Sequence, residues 1–181
     1  NRLFLAYIEQ VLPSLGEAGV EMASLGDLVG GIRIGDHRDL EEVSRLKGDL
    51  RMVKFLARSA KIRQRFLRED LRIGYGVQWL HITVEQTAQI VKEAQRRYRT
   101  HNAARRYVEE EFYSTLALSS NEPLDHRTVQ DRLKGQIAIR EALDWIWPVL
   151  TPSQLLNDVF GSHALIKAAD PRLSEEEVNS L

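Results

Sequence analysis

Hydrophobic residues recur every three or four positions along most of this chain, which is the period of an amphipathic helix. The pattern predicts helices over residues 2–12, 24–28, 39–47, 49–68, 84–99, 103–116, 128–146, 151–160 and 174–181. Two helix starts carry a signal of their own, because Thr83 and Gln86 form a capping box and Thr151 precedes a proline. We therefore expect a mainly α, multi-helix domain.

Two short stretches alternate as strands do. Residues 71–82 alternate through Ile73, Tyr75, Val77 and Trp79 with glycines between them, which predicts a small β-hairpin. Residues 20–23 predict a strand just before the helix over residues 24–28, which together would make a short α/β unit near the N-terminus.

The predicted helix over residues 49–68 has one entirely basic face. Its cations, spaced three and four positions apart, fill an arc of roughly 100°. We call them the basic stripe: Arg51, Lys54, Arg58, Lys61, Arg65 and Arg68. Apolar residues, Phe66 among them, occupy most of the remaining surface, so the helix is expected to be buried on its wide side.

Three interpretations of the basic stripe stay open. The first is a solvated face, in which the aliphatic parts of the lysine and arginine side chains cover apolar neighbours. The second is a surface that binds nucleic-acid phosphates, and the third is a surface that binds an acidic protein. Ordinary solvated faces mix charges to form pairs four residues apart, and this face has no acid. Few aromatic residues interleave with the cations, which argues against a platform for stacking single-stranded bases.

Two other groups are candidate binding residues. A second basic row, Lys92, Arg96 and Arg99, lies on the helix predicted from residue 84. The polar loop over residues 119–126 contains Asn121, Glu122 and Asp125. This loop is either an ordinary connector or an acidic probe that enters a basic or metal-containing site.

Charge is strongly segregated along the chain. Residues 1–50 carry a net charge of −4, residues 51–106 of +10 and residues 107–181 of −7, although the whole chain has a net charge of −1. These blocks either neutralise each other within the fold or face separate partners.

The residue inventory excludes several kinds of chemistry. The absence of cysteine rules out disulfides, thiolate metal sites and cysteine nucleophiles, and it fits a reducing, cytoplasmic location. Phosphate-binding glycine motifs, helical pairs of histidine ligands and the nucleophile elbow of serine hydrolases are also missing. We therefore assign no catalytic, cofactor-binding or metal-binding residue. With no apolar run of about 18 residues, no membrane partner is expected.

Four segments resemble one protein family. They are NRLFLAYIEQVLPSLGEAGVEMASLGDL at the start, KGDLRM from Lys47, HNAAR from His101 and WPVLTPSQLL from Trp147. Together they resemble the actinobacterial branch of the HelD-type proteins, which are superfamily 1, UvrD-like helicase ATPases that bind bacterial RNA polymerase. The first segment is the most specific of the four.

The resemblance implies two domains. Residues 1–46 would belong to a RecA-like motor domain, and residues 47–181 to a helical insertion that splits it. In the family this insertion enters the main channel of the polymerase core and opens the clamp, while a loop approaches the active site. ATP use by the intact protein is linked to release and recycling of stalled polymerase.

The family's phosphate-binding lysine motif and its magnesium-binding acidic motif have no counterpart in this sequence. ATP and magnesium are therefore expected for the parent protein, and no ATP hydrolysis is expected for this chain alone. Because the chain opens inside an amphipathic stretch without an initiator methionine, we expect a piece of a larger protein that contacts the missing motor parts. The rival hypotheses are a DNA-binding accessory domain of a true superfamily 1 helicase and a plain structural helical domain.

Overall fold

The structure is a computed structural model, and it describes residues 2–12 and 39–181. Within those ranges the chain is mainly helical and contains one two-stranded antiparallel hairpin, which confirms the predicted fold class. The strand expected over residues 20–23 and the helix expected over residues 24–28 lie outside the described residues. The chain divides into two compact units, residues 1–41 and residues 42–181.

The described elements follow in chain order. They are α1 (Arg2–Val11), α2 (Glu41–Lys47), α3 (Arg51–Ile62), β1 (Leu71–Tyr75), β2 (Gln78–Ile82), α4 (Val84–Arg97), a 3-10 turn (Asn102–Ala104), α5 (Arg105–Leu118), α6 (His126–Leu133), α7 (Ile137–Ile146), α8 (Pro152–Phe160), α9 (His163–Ala169) and α10 (Glu175–Ser180). No helix in the described ranges is both long and apolar enough to cross a membrane.

The second unit contains two hydrophobic cores. The first core joins the hairpin to α4, α5, α6 and α7, and Leu80, Phe112 and Trp147 are almost completely buried in it. The second core joins α2 and α3 to α8, α9 and α10 around Phe55 and Ile166. The first core is continuous in sequence, whereas the second brings together the two ends of the unit.

The hairpin has a two-residue turn whose first residue adopts a left-handed backbone conformation. Gly76 has a φ of 64°, a value that favours glycine because it lacks a Cβ. The strands pair Ile73 with Leu80, and both side chains are buried. Val77 and Trp79 are exposed, at the turn and on the outer side of the hairpin.

Helices begin at the two predicted signals and at a third cap of the same kind. Thr83 and Gln86 exchange the two hydrogen bonds of a capping box at the start of α4. Thr151 caps α8 with Pro152 in the first turn. Ser174 caps α10. The hydroxyl oxygens of these side chains accept hydrogen bonds from backbone amides of the first helical turn. Those amides would otherwise have no partner, and this is why the helices begin at these residues.

The prediction that the basic helix continues to about Arg68 is wrong. Helix α3 ends at Ile62, and the Arg65 amide donates to the Ile146 carbonyl at 2.9 Å. Two residues later, the Leu67 amide donates to Thr87 Oγ1 at 3.1 Å. Tertiary hydrogen bonds to α4 and α7 thus replace the helical ones, although the side-chain pattern favours helix here.

Two further predictions of helices need correction. The single helix expected over residues 128–146 is broken at residues 134–136 into α6 and α7, since Gly135 lowers the helix propensity there. Directly after the break, Ile137 is 64% exposed, whereas Ile139 is fully buried. Helix α9 was not predicted, because a helix of seven residues is too short for its hydrophobic period to be recognised.

Candidate functional site

The four residues of the basic stripe that lie on α3 fall into two pairs with different environments. Lys54 and Lys61 are solvent-exposed, seven residues apart and therefore on the same side of the helix. Within the described ranges neither ammonium group has an ion-pair partner. Of the four stripe residues on α3, these two lysines are the ones available to a partner.

The two arginines of α3 instead contact the acidic C-terminal block. Arg58 Nη1 donates to the Ala169 carbonyl at 3.1 Å and lies 3.6 Å from Asp170 Oδ2. Arg51 Nη2 lies 3.6 Å from Glu177 Oε1. The oppositely charged blocks of the sequence therefore meet inside the fold, and part of the stripe has a structural role.

Arg65 and Arg68 lie beyond the end of α3 and pack on the same tryptophan. The guanidinium carbons of Arg65 and Arg68 lie 4.3 and 4.0 Å from the centre of the Trp145 ring. We call these three residues the arginine–tryptophan cluster. The prediction that the two arginines continue the helical face of Arg51 to Lys61 is wrong, since they belong to a separate, non-helical surface.

Backbone contacts hold the arginine–tryptophan cluster in place. Trp145 Nε1 donates to the Phe66 carbonyl at 3.0 Å, so the segment between the two arginines is fixed against α7. The Phe66 side chain, expected on the buried side of a helix, is 53% exposed. The end of α3 at Ile62 therefore turns an apolar core position into a surface ring.

Positive charge accumulates around Arg65. Its partial burial lowers the pKa of the Arg65 guanidinium, and the charges of Arg63 and Arg68 lower it further. Arg63 has an acidic partner, Asp158, at 2.5 Å. The Asp158 charge raises the pKa of Arg65 by a smaller amount, so it offsets only part of the effect of the two neighbouring arginines.

The second basic row lies next to this surface. Gln95 Nε2 donates to Gln64 Oε1 at 3.0 Å, which places the side of α4 that carries Lys92 beside the segment after α3. Lys92 and Arg99 are exposed. Arg96 is engaged in an ion pair within α4, and the prediction that Arg99 continues the same helical face is wrong, because α4 ends at Arg97 and Tyr98 is extended.

Glu93 is the acid that holds Arg96, and it also holds Arg97. Hydrogen bonds from Arg96 and Arg97, at 2.5 and 2.6 Å, lower the pKa of Glu93 to about 2. The carboxylate therefore stays ionised throughout the physiological range and keeps both guanidinium groups on its own side of α4.

The loop over residues 119–126 is fastened to its neighbours. The Asn121 amide lies 3.4 Å from Gln78 Oε1 of the hairpin, and the Glu122 amide donates to Ser120 Oγ at 3.2 Å. Asp125 caps α6 by accepting the Thr128 amide at 3.0 Å, and this hydrogen bond lowers the pKa of the Asp125 carboxyl. Asn121 and Glu122 have exposed side chains, so their proposed role as a probe stays a prediction.

A junction around His101 connects the two cores, and no sequence signal marked it as a site. The His101 ring stacks on Trp147, with ring centres 5.1 Å apart. Its Nε2 lies 2.6 Å from the Pro148 carbonyl, which only accepts, so Nε2 donates and Nδ1 is free to accept from Gln64 Nε2 at 3.3 Å. Trp147 Nε1 in turn donates to the His101 carbonyl at 2.8 Å.

Asn102 completes this junction with a reciprocal pair of hydrogen bonds. Its side-chain amide donates to the Leu150 carbonyl at 2.7 Å, and its side-chain oxygen accepts the Leu150 amide at 3.0 Å. The HNAAR and WPVLTPSQLL segments, which are far apart in sequence, therefore meet here. Their immediate physical role is to fix the connection between α7 and α8.

We expect the His101 junction to weaken in mild acid. Burial lowers the pKa of His101, and the Arg105 charge lowers it further, so the unfolded chain takes up the proton first. Stability is then fully present above the unfolded-state pKa of about 6.5 and falls as the pH drops toward the lower folded-state value. Thermal unfolding midpoints at about pH 7.5 and about pH 5.5 measure this difference.

His101→Gln should reduce the difference between the two pH values, and exposed His163→Gln is the matched control. An unchanged pH difference in His101→Gln would show that other groups cause the acid sensitivity.

No protein-family model matches this chain, and no curated protein is similar enough to be counted as a relative. Among the described residues, no three His, Asp or Glu side chains come together in a group that could hold a metal ion.

Proposed function

We propose that this chain is a non-catalytic interaction module of a HelD-like, UvrD-related ATPase, and that it binds the core of bacterial RNA polymerase. The main support is the pair of exposed lysines, Lys54 and Lys61, on a helix whose arginines are engaged by acids of the same fold. Positive charge that the fold does not neutralise is available to an acidic partner surface, where it speeds association and selects the partner.

The second unit also has properties that suit a wedge. Its two cores are joined by the hydrogen-bonded junction of His101 and Asn102, and close-packed interiors resist deformation. In this proposal residues 47–181 are an insertion that enters the main channel of the polymerase and opens its clamp. Residues 1–46 belong to the motor domain, whose remaining parts bind ATP and magnesium and contact the module.

Reversal of the exposed charges on α3 tests polymerase binding. We expect Lys54→Glu with Lys61→Glu to weaken binding to polymerase core about tenfold at low salt, because the loss of complementary charge mainly slows association. Arg58 must stay unchanged, since it holds Asp170 and its reversal would disturb the fold. Surface plasmon resonance with immobilised polymerase core measures both rate constants.

The control variant makes the same change in net charge at the two ends of α6, with Arg127→Glu in its first turn and Lys134→Glu directly after it. It should bind polymerase like the unchanged chain. Equal weakening in both variants would contradict a specific role for the α3 lysines. If the variant with Lys54→Glu and Lys61→Glu kept its affinity for polymerase but lost salt-sensitive binding to DNA, the result would support the alternative of a nucleic-acid-binding accessory domain.

A further inference from the structure

The positive charge of the arginine–tryptophan cluster exceeds what the fold neutralises. Arg65 Nε donates to the Ile62 carbonyl at 3.3 Å, which leaves the outer nitrogens of its guanidinium group without a carboxylate. Arg68 is exposed, and its guanidinium group has no ion pair in the part of the chain that the structure describes. Two guanidinium groups are thus held on one ring, with donors left for a ligand.

Three carboxylates must be considered as internal counter-charges. Asp158 is taken by Arg63, at 2.5 Å. Asp70 accepts the Val84 amide at 2.8 Å. Glu69 is exposed and lies, with Asp70, at the edge of a shallow depression beside Trp145. None of the three forms an ion pair with Arg65 or Arg68 in the part of the chain that the structure describes, so both guanidinium groups keep donors for a ligand, while Glu69 and Asp70 lower the local positive charge.

The chain segment that joins the two arginines carries an exposed aromatic ring, that of Phe66. The Phe66 carbonyl accepts the indole hydrogen of Trp145, so the backbone that carries the ring is anchored. The ring itself is 53% exposed. Two guanidinium groups packed on Trp145 and an exposed ring on the segment that joins them combine phosphate-binding groups with a surface for base stacking.

We propose that Arg65, Arg68 and Phe66 bind single-stranded nucleic acid, with backbone phosphates on the guanidinium groups and a base on the phenyl ring. Stacking on Trp145 holds the guanidinium groups in place, which reduces the entropy lost when each one binds a phosphate. This function is additional to polymerase binding and does not depend on it.

The arrangement favours a single strand over the other anionic polymers. A duplex hides the faces of its bases, so the Phe66 ring would contribute nothing to its affinity. An acidic polypeptide would use the arginines but has no flat π-face to match the ring. Exposed Lys61 and Lys92 lie on elements that flank the Gln64–Gln95 contact, which extends the positive surface beyond the cluster.

Two variants separate the phosphate and base contributions. Fluorescence anisotropy with a labelled oligothymidylate of about 12 nucleotides measures affinity at several salt concentrations. We expect Phe66→Ala to weaken binding about tenfold without changing the salt dependence. Arg68→Gln should also weaken binding, and it should reduce the slope of log affinity against log salt by about 0.7, the value for one phosphate contact of a single strand.

Arg106→Gln is the matched control, because Arg106 is an exposed arginine of α5 and its loss changes the net charge equally. It should bind the oligonucleotide like the unchanged chain. A polyglutamate peptide of equal charge, and a duplex of equal length, should bind more weakly. The proposal is overturned if either binds as tightly as the single strand, or if Phe66→Ala has no effect on affinity.

Discussion

Replacement of Trp147 by alanine is expected to lower the free energy of unfolding by about 3–5 kcal/mol, the range for truncation of a large buried aromatic residue. Only 1% of the Trp147 surface is exposed, and the indole stacks on His101 and donates to its carbonyl. The change would therefore leave a cavity and an unpaired carbonyl where the two cores join. Urea denaturation followed by far-ultraviolet circular dichroism measures the loss.

Trp79→Ala is the matched control for this experiment. Trp79 has the same side chain but is 63% exposed on the hairpin, so its removal should change the free energy of unfolding by no more than about 0.5 kcal/mol. If the two variants were equally stable, Trp147 would not be packed as the structure shows.

Arg105→Ala should lower the free energy of unfolding by about 1.5–3 kcal/mol, the range for hydrogen bonds that involve a charged group. Arg105 Nη1 donates to the Leu143 carbonyl at 3.0 Å and also to the Trp147 carbonyl. Its Nε lies 2.6 Å from Glu109 Oε1. The arginine thus provides a donor for the Trp147 carbonyl just after α7, and it adds a second hydrogen bond to the Leu143 carbonyl, which already accepts the Trp147 amide.

The neighbouring arginine is a suitable control, because Arg106 pairs with Glu110 on the same helix but its side chain is 88% exposed. Exposed ion pairs of this kind contribute little, so Arg106→Ala should leave the urea midpoint unchanged. A loss of stability in Arg106→Ala as large as that in Arg105→Ala would mean that helix propensity, rather than the α7 carbonyls, causes the effect.

The features that could be predicted from sequence are those decided by neighbouring residues. The capping boxes at Thr83 and Ser174 depend on residues three positions apart, and the hairpin depends on Gly76 and the residues around it. The end of α3 could not be predicted, because it depends on a hydrogen bond between Arg65 and Ile146, which lie far apart in the chain. The local hydrophobic pattern favours a helix at these residues, but the tertiary hydrogen bonds outweigh that preference.

The candidate site was predictable only in part for the same reason. The spacing of Lys54 and Lys61 is a property of α3 itself, and their exposure agrees with a helical face. Arg58, however, contacts Asp170, and Arg65 and Arg68 pack on Trp145. Both contacts join segments that are far apart in the sequence, so the local pattern does not predict them. His101 gave no signal, since a single histidine has no spacing to interpret.

The second core can form only when both ends of the unit are present. Arg58 and Ala169, which are hydrogen-bonded, are separated by 111 residues. During synthesis on the ribosome, the hairpin and α4 to α7 therefore have time to fold while α3 still lacks its partners. The Phe55 ring, which is buried in the folded protein, stays exposed until α8 to α10 emerge. We therefore expect α3 to be the segment of the nascent chain that chaperones bind.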